Sequence, residues 1–107
     1  MEKDIFITPE QEVNQLVEKA LKCLKEYDDF TQEKIDYIVA KASVAALDKH
    51  GELALMAVNE TKRGVFEDKA TKNLFACEYV VNNMRHLKTV GVISEDKVTG
   101  ITEIAEP

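Results

Sequence analysis

The side chains that could coordinate a metal ion are few and widely spaced. His50 and His86 are the two histidines, they are 36 positions apart, and neither has a cysteine near it. A metal site needs clustered histidine, cysteine or carboxylate ligands at helical or loop spacings. Both histidines fall at predicted helix ends, where capping and the helix dipole account for them. We therefore predict no metal site in this stretch.

The candidate catalytic groups have simpler explanations. Glu67 and Asp68 are adjacent, so on a helix they point about 100° apart, and their charge suits the start of that helix. Cys23 and Cys77 are the only cysteines, each at a helical position beside apolar neighbours, and we expect both to be reduced and simply packed. Glu103 and Glu106 could face a partner or line a solvated strand edge. We predict no catalytic residue here.

Composition excludes several classes of partner. The four glycines are isolated, and none belongs to a phosphate-cradling pattern, so we predict no nucleotide or cofactor site in this stretch. Twenty acidic against fourteen basic residues give a net charge of −6, which disfavours nucleic acid and anionic membranes. No stretch approaches the roughly 20 apolar residues of a membrane-spanning helix, and the first eight residues lack a secretion signal. We expect a cytoplasmic location.

Periodicity predicts four helices within residues 1–88. The first begins at a Thr8 cap, has a capping-box glutamine, Gln11, and ends near Asp28. The second begins at a Thr31 cap, and Gly51 is expected to end it in the left-handed conformation. A third helix runs over about residues 52–63 and a fourth over residues 66–88. With hydrophobic residues at 45% of the chain, we expect a packed core.

The pattern changes to β-rich residues at Thr89. Residues 89–93 and 101–104 read as two strands around a polar stretch, residues 94–97, which is expected to be mobile. The predicted fold class is thus mostly α with a terminal β-hairpin, an α+β arrangement. A two-stranded hairpin is marginally stable alone. We therefore predict self-association through an interface that contains Val90, Val92, Ile101 and Ile104.

An ordered series of short segments resembles one enzyme family. The segments are Phe30-Thr31-Gln32-Glu33, Gly64-Val65-Phe66-Glu67-Asp68-Lys69, Lys72-Asn73, Phe75-Ala76-Cys77-Glu78-Tyr79, Lys88-Thr89-Val90-Gly91-Val92-Ile93 and Gly100-Ile101-Thr102-Glu103-Ile104-Ala105-Glu106-Pro107. Together they resemble the amino-terminal part of the bifunctional aldehyde-alcohol dehydrogenases, at the start of their CoA-acylating acetaldehyde dehydrogenase half. The resemblance is close over about three-quarters of the chain and looser over the first helix.

The resemblance implies a fermentative enzyme that reduces acetyl-CoA to acetaldehyde and then to ethanol with NADH, and that holds iron in its alcohol dehydrogenase half. It implies that the chain is an amino-terminal fragment of an aldehyde dehydrogenase-like α/β fold, inactive by itself, whose NAD and iron sites lie in the remainder of the parent. It also implies that residues 89–107 form a hairpin of the oligomerisation region, incomplete at its carboxyl end.

Two other interpretations remain open from the sequence. A stand-alone CoA-acylating aldehyde dehydrogenase shares this architecture without the iron-containing half. A small helical interaction protein could instead dimerise through its hairpin and catalyse nothing, because exposed β edges and apolar helical faces both bind partners.

Overall fold

The chain is mostly helical and ends in two antiparallel strands. A computed structural model describes residues 7–107. The predicted fold class is confirmed. The elements in chain order are α1 (Pro9–Tyr27), α2 (Gln32–Asp48), α3 (His50–Thr61), α4 (Phe66–Leu74), a π-helical segment (Phe75–Val80), α5 (Val81–Met84), β1 (Gly91–Asp96) and β2 (Ile101–Ala105). The absence of a secretion signal was predicted from the first eight residues. The first six of these lie outside the described residues.

The two predicted threonine caps are confirmed. At the start of α1 the backbone N–H of Gln11 donates to the Thr8 hydroxyl, and the Gln11 side chain accepts from the Thr8 N–H. At the start of α2 the N–H of Lys34 donates to the Thr31 hydroxyl at 3.2 Å. Both caps satisfy N–H groups that have no partner inside the helix, which fixes where each helix begins.

The boundary between α2 and α3 differs from the prediction. Gly51 does not end α2 in a left-handed conformation, because it lies inside the first turn of α3. Lys49 separates the two helices, and its N–H donates back to the carbonyls of Ala46 and Leu47. The Leu47 carbonyl also accepts a hydrogen bond from Nδ1 of His50 at 2.6 Å. His50 therefore caps α2 with its ring, while its backbone begins α3. The sequence analysis placed His50 only at a helix end.

The predicted fourth helix is divided and shorter than expected. The backbone stays helical from α4 through the π-helical segment into α5, then leaves the helix after Met84. Arg85 and His86 form a turn, and Lys88 lies beyond it, so these residues are not the last turn of a helix as predicted. The third helix ends at Thr61, where Lys62 takes a left-handed conformation two residues before Gly64 does the same.

The described residues bury little apolar surface, contrary to the predicted packed core. The buried hydrophobic residues in this part of the chain are Ile35, 8% exposed, and Ala54, fully buried. The radius of gyration is 18.9 Å, against about 13 Å for a globular domain of this length. Packing is concentrated between α3 and α4 and between α2 and the π-helical segment. The chain is therefore an open assembly of helices rather than a closed core.

Helix α1 stands away from the other helices. Its residues are exposed up to Tyr27, which is half-buried, and Cys23 is exposed rather than packed as predicted. Cys77, on the π-helical segment, is half-buried. No helix in residues 7–107 combines the length and hydropathy that crossing a bilayer requires.

Candidate subunit-contact site at the hairpin

The hairpin is anchored to the helices by the side chain of one residue, Gln32. Its Oε1 accepts hydrogen bonds from the N–H groups of Thr89 at 2.7 Å and Val90 at 3.1 Å. Its Nε2 donates to the Thr89 hydroxyl at 2.8 Å and to Oδ1 of Asp36 at 2.9 Å. The amide thus uses both donors and accepts twice, which is its full capacity. These bonds join the first turn of α2 to the segment immediately before β1.

The strands pair with one irregularity. Val92 is opposite Ile104 and Ser94 is opposite Glu103, so Ile93 is an extra residue that forms a bulge in β1. The remaining pairs are Gly91 with Ala105, Glu95 with Thr102 and Asp96 with Ile101. A bulge bends its strand and increases the local twist. The register therefore decides which side chains share a face of the hairpin. The bulge that sets this register was not predicted from the sequence.

The register brings together only two of the four predicted interface residues. Val92 and Ile104 form a cross-strand pair and are 47% and 64% exposed. Ile101 is 61% exposed, but an odd number of positions separates it from Ile104, so it points to the opposite face. Val90 is half-buried and precedes β1 rather than lying in it as predicted. Ile93, 48% exposed at the bulge, was not predicted.

The turn between the strands is held by Asp96. Its backbone carbonyl accepts from the N–H of Gly100 at 2.9 Å, and its Oδ1 accepts from the N–H groups of Val98 at 2.9 Å and Thr99 at 3.3 Å. Hydrogen bonds from the Thr99 side chain, then from the Thr99 and Val98 N–H groups, lower the pKa of the Asp96 carboxyl. Gly100 closes the turn with a positive φ of 72°. Residues 94–96 belong to β1, so the predicted mobile polar stretch is largely strand.

An apolar groove runs between α2 and the end of α5. It lies beside the hairpin root, by which we mean Thr89 and Val90, the two residues immediately before β1. Its volume is about 330 Å³, and Asp36 and Arg85 are its only charged lining residues. Thr89 and Asp36 both line this groove and bind the Gln32 amide. The other lining residues are Ile35, Val39, Ala40, Val81, Met84 and Leu87. This groove lies where the hairpin root meets the helices.

The groups considered for chemistry stay apart in the structure. Within residues 7–107 no three histidine, cysteine or carboxylate side chains come together as metal ligands would. The side chain of Asn73 binds the backbone of His50, because Nδ2 of Asn73 donates a hydrogen bond to the His50 carbonyl at 3.1 Å. That bond fastens α4 to the start of α3. The hairpin and its root are therefore the candidate functional surface of this chain.

Comparison with known proteins gives close relatives over nearly the whole chain. An aldehyde-alcohol dehydrogenase of Streptococcus pneumoniae serotype 4 is 71% identical over 101 residues, which are 94% of this chain and 11% of that protein. Aldehyde-alcohol dehydrogenase 2 of Entamoeba histolytica is 65% identical over 103 residues, 94% of this chain and 12% of its own length. The matched part is the amino-terminal region of such proteins. The resemblance to the aldehyde-alcohol dehydrogenases is confirmed.

The structural comparison agrees with the aldehyde-alcohol dehydrogenase similarity. An acetylating aldehyde dehydrogenase from Geobacillus thermoglucosidasius superposes with a TM-score of 0.73 and 44% identity, over 88% of this chain and 21% of that structure. No protein-family profile matches the chain. The chain spans about one-ninth of the length of the aldehyde-alcohol dehydrogenases it matches.

We predict that Gln32→Ala loosens the hairpin root. The change leaves the N–H groups of Thr89 and Val90 without their acceptor in a partly buried place, which costs about 1–2 kcal/mol. Amide hydrogen exchange should show the protection of these two N–H groups falling roughly tenfold. The matched control is Gln15→Ala, the same change at an exposed position of α1. Unchanged protection at both N–H groups in the Gln32 variant would contradict the anchoring role.

We predict that the turn weakens at low pH. The folded hairpin lowers the pKa of Asp96 below its ordinary value of 3.8, so the ionised carboxylate stabilises the turn. This contribution is complete above the unfolded-state pKa and is lost as the pH falls through the lower folded-state value. An NMR titration of the Val98 and Thr99 amide signals should give a midpoint below 3.8, and Asp96→Asn should abolish that titration. A midpoint at or above 3.8 would refute the prediction.

Proposed function

We propose that this chain is the amino-terminal part of a fermentative enzyme of the aldehyde-alcohol dehydrogenase type. Such an enzyme would reduce acetyl-CoA to acetaldehyde and then to ethanol with NADH, in the cytoplasm, with its NAD and iron sites outside residues 1–107. The observation that carries the proposal is the 71% identity to one aldehyde-alcohol dehydrogenase over 94% of the chain.

Within that enzyme we assign residues 1–107 a scaffolding role and a role in subunit contact. The helical part would be residues 1–88, and the contact would be made by residues 89–107. Two observations support this division. The hairpin carries exposed Val92 and Ile104 side by side, and a two-stranded ribbon has unpaired edges that favour a further strand. The Gln32 amide holds the ribbon at a fixed root, so a partner would meet a preorganised surface.

The enzymatic proposal is tested with the full encoded polypeptide. Purified and loaded with iron, it should oxidise NADH when given acetyl-CoA, and should also oxidise NADH when given acetaldehyde. Acetyl-CoA should give free CoA and acetaldehyde, which the same enzyme reduces further to ethanol, and added acetaldehyde should give ethanol. Residues 1–107 alone should catalyse neither reaction. Absence of acetyl-CoA-dependent NADH oxidation by the full polypeptide would refute the proposal.

A second candidate is a stand-alone CoA-acylating aldehyde dehydrogenase. The similarity to the acetylating aldehyde dehydrogenase of Geobacillus thermoglucosidasius favours it, because the chain covers 21% of that structure. The same assays distinguish the two candidates. A polypeptide that reduces acetyl-CoA but does not reduce acetaldehyde to ethanol belongs to this second class.

We predict that Ile104→Thr weakens self-association more than Ile101→Thr does. Ile104 adds to the apolar surface of Val92 on one face, whereas the neighbours of Ile101 on the other face are Asp96 and Glu103. Losing one buried apolar contact of this size weakens association by roughly tenfold. Sedimentation velocity over a concentration series measures both variants. Equal effects, or a larger effect of Ile101→Thr, would contradict the assignment of the contact to the Val92 and Ile104 face.

A further inference from the structure

Asp36 is the hydrogen-bond partner of the Gln32 amide that lies within the same helix. It is four positions further along α2, and its Oδ1 accepts from Nε2 of Gln32 at 2.9 Å. The other partners of the amide, Thr89 and Val90, belong to the hairpin root. The amide therefore makes one bond to its own helix and three to the hairpin root.

We propose that Asp36 is a positioning residue for the subunit contact and acts through Gln32. The Asp36 carboxylate holds the amide in the orientation whose oxygen accepts from the hairpin root, and thereby fixes where the hairpin meets another subunit. This inference rests on the proposed contact role of residues 89–107. It adds the residue on α2 that keeps this contact surface in place.

Hydrogen bonding decides the orientation of the amide, because its oxygen only accepts and its NH₂ group only donates. The Thr89 hydroxyl suits both orientations, since a hydroxyl donates as well as accepts. The backbone N–H groups of Thr89 and Val90 only donate, and an ionised carboxylate only accepts. A rotated amide would set its oxygen against the Asp36 carboxylate and its NH₂ group against the two N–H groups. Asp36 and the hairpin root therefore select the same orientation.

The bond between Gln32 and Asp36 forms within a single helix. Side chains four positions apart are neighbours on a helix, and glutamine–aspartate pairs at this spacing stabilise it. The charge of the carboxylate strengthens the hydrogen bond. Glutamine loses much rotamer freedom when it is fixed, and the intrahelical bond meets part of that cost before the hairpin is in place. The hairpin root therefore meets an amide that is already oriented.

Exchanging the two groups tests the pairing in the full encoded polypeptide. Gln32→Glu keeps an acceptor for the two N–H groups but sets a second carboxylate against Asp36. Amide exchange should then show protection at Thr89 and Val90 falling roughly fivefold, because the two like charges repel at hydrogen-bond distance. Adding Asp36→Asn returns a donor to the pair, now from position 36, and should restore protection to within about twofold of the unchanged polypeptide.

Two single variants control the exchange. Asp36→Ala removes the acceptor and should lower protection at the hairpin root about twofold, as expected for the loss of one intrahelical pair. Glu33→Ala removes a carboxylate from the first turn of the same helix, and none of the Gln32 bonds described above involves it. Protection at the root should be unchanged in that variant. Equal effects of Asp36→Ala and Glu33→Ala would overturn the positioning role.

Subunit association is the second readout, measured by sedimentation velocity over a concentration series. Association should weaken in Gln32→Glu, recover when Asp36→Asn is added, and stay unchanged in Glu33→Ala. If each position acted by itself, the double variant would associate no better than Gln32→Glu, so absence of recovery overturns the inference.

Ile104→Thr separates failure of this inference from failure of the proposed contact, because it alters the contact face and leaves the hairpin root intact. If Ile104→Thr weakens association while Gln32→Glu does not, the contact stands and the role of Asp36 is overturned. If neither variant weakens association, the hairpin makes no subunit contact and both proposals are overturned.

Discussion

The hydrogen bonds of the Gln32 amide are the constraint on which the arrangement of this chain depends. Gln32 lies in the first turn of α2, and its partners Thr89 and Val90 lie 57 and 58 positions later, where the helical part ends and the hairpin begins. A short polar side chain reaches across that separation only if α2 and the end of α5 are already side by side. Ile35, Val81 and Leu87 line one apolar groove between these elements, and α2 packs beside the π-helical segment and α5. The hydrogen bonds of the Gln32 amide then fix the orientation of the hairpin relative to α2.

The second constraint is the shortage of buried apolar surface. Folding must offset about 1–2 kcal/mol of backbone entropy per ordered residue, mainly by removing apolar area from water. With Ile35 and Ala54 as the buried hydrophobic residues of the described part, the chain leaves much of its apolar surface open to solvent. The exposed apolar residues of α1, the groove beside α5 and the two faces of the hairpin are therefore surfaces that suit contact with further protein. This is consistent with a chain that matches about one-ninth of much longer relatives.

The hairpin shows how a small irregularity decides a surface. The sequence presented Val90, Val92, Ile101 and Ile104 as one set because all four are β-prone and apolar. The bulge at Ile93 and the observed register place Val92 with Ile104, set Ile101 on the other face, and leave Val90 at the root. Strand side chains alternate with a period of two, so membership of a face depends on register. Composition alone does not fix the register.

The sequence by itself determined the features that depend on neighbouring residues. Thr8 and Thr31 cap their helices, and the β-rich residues after position 89 form two strands, because capping and turn formation need only a few positions along the chain. Only the tertiary structure decided which predicted apolar faces are covered, that His50 caps one helix while beginning the next, and that Gln32 holds the hairpin. These outcomes depend on contacts between distant residues, whose geometry is set by how whole elements pack rather than by local preference.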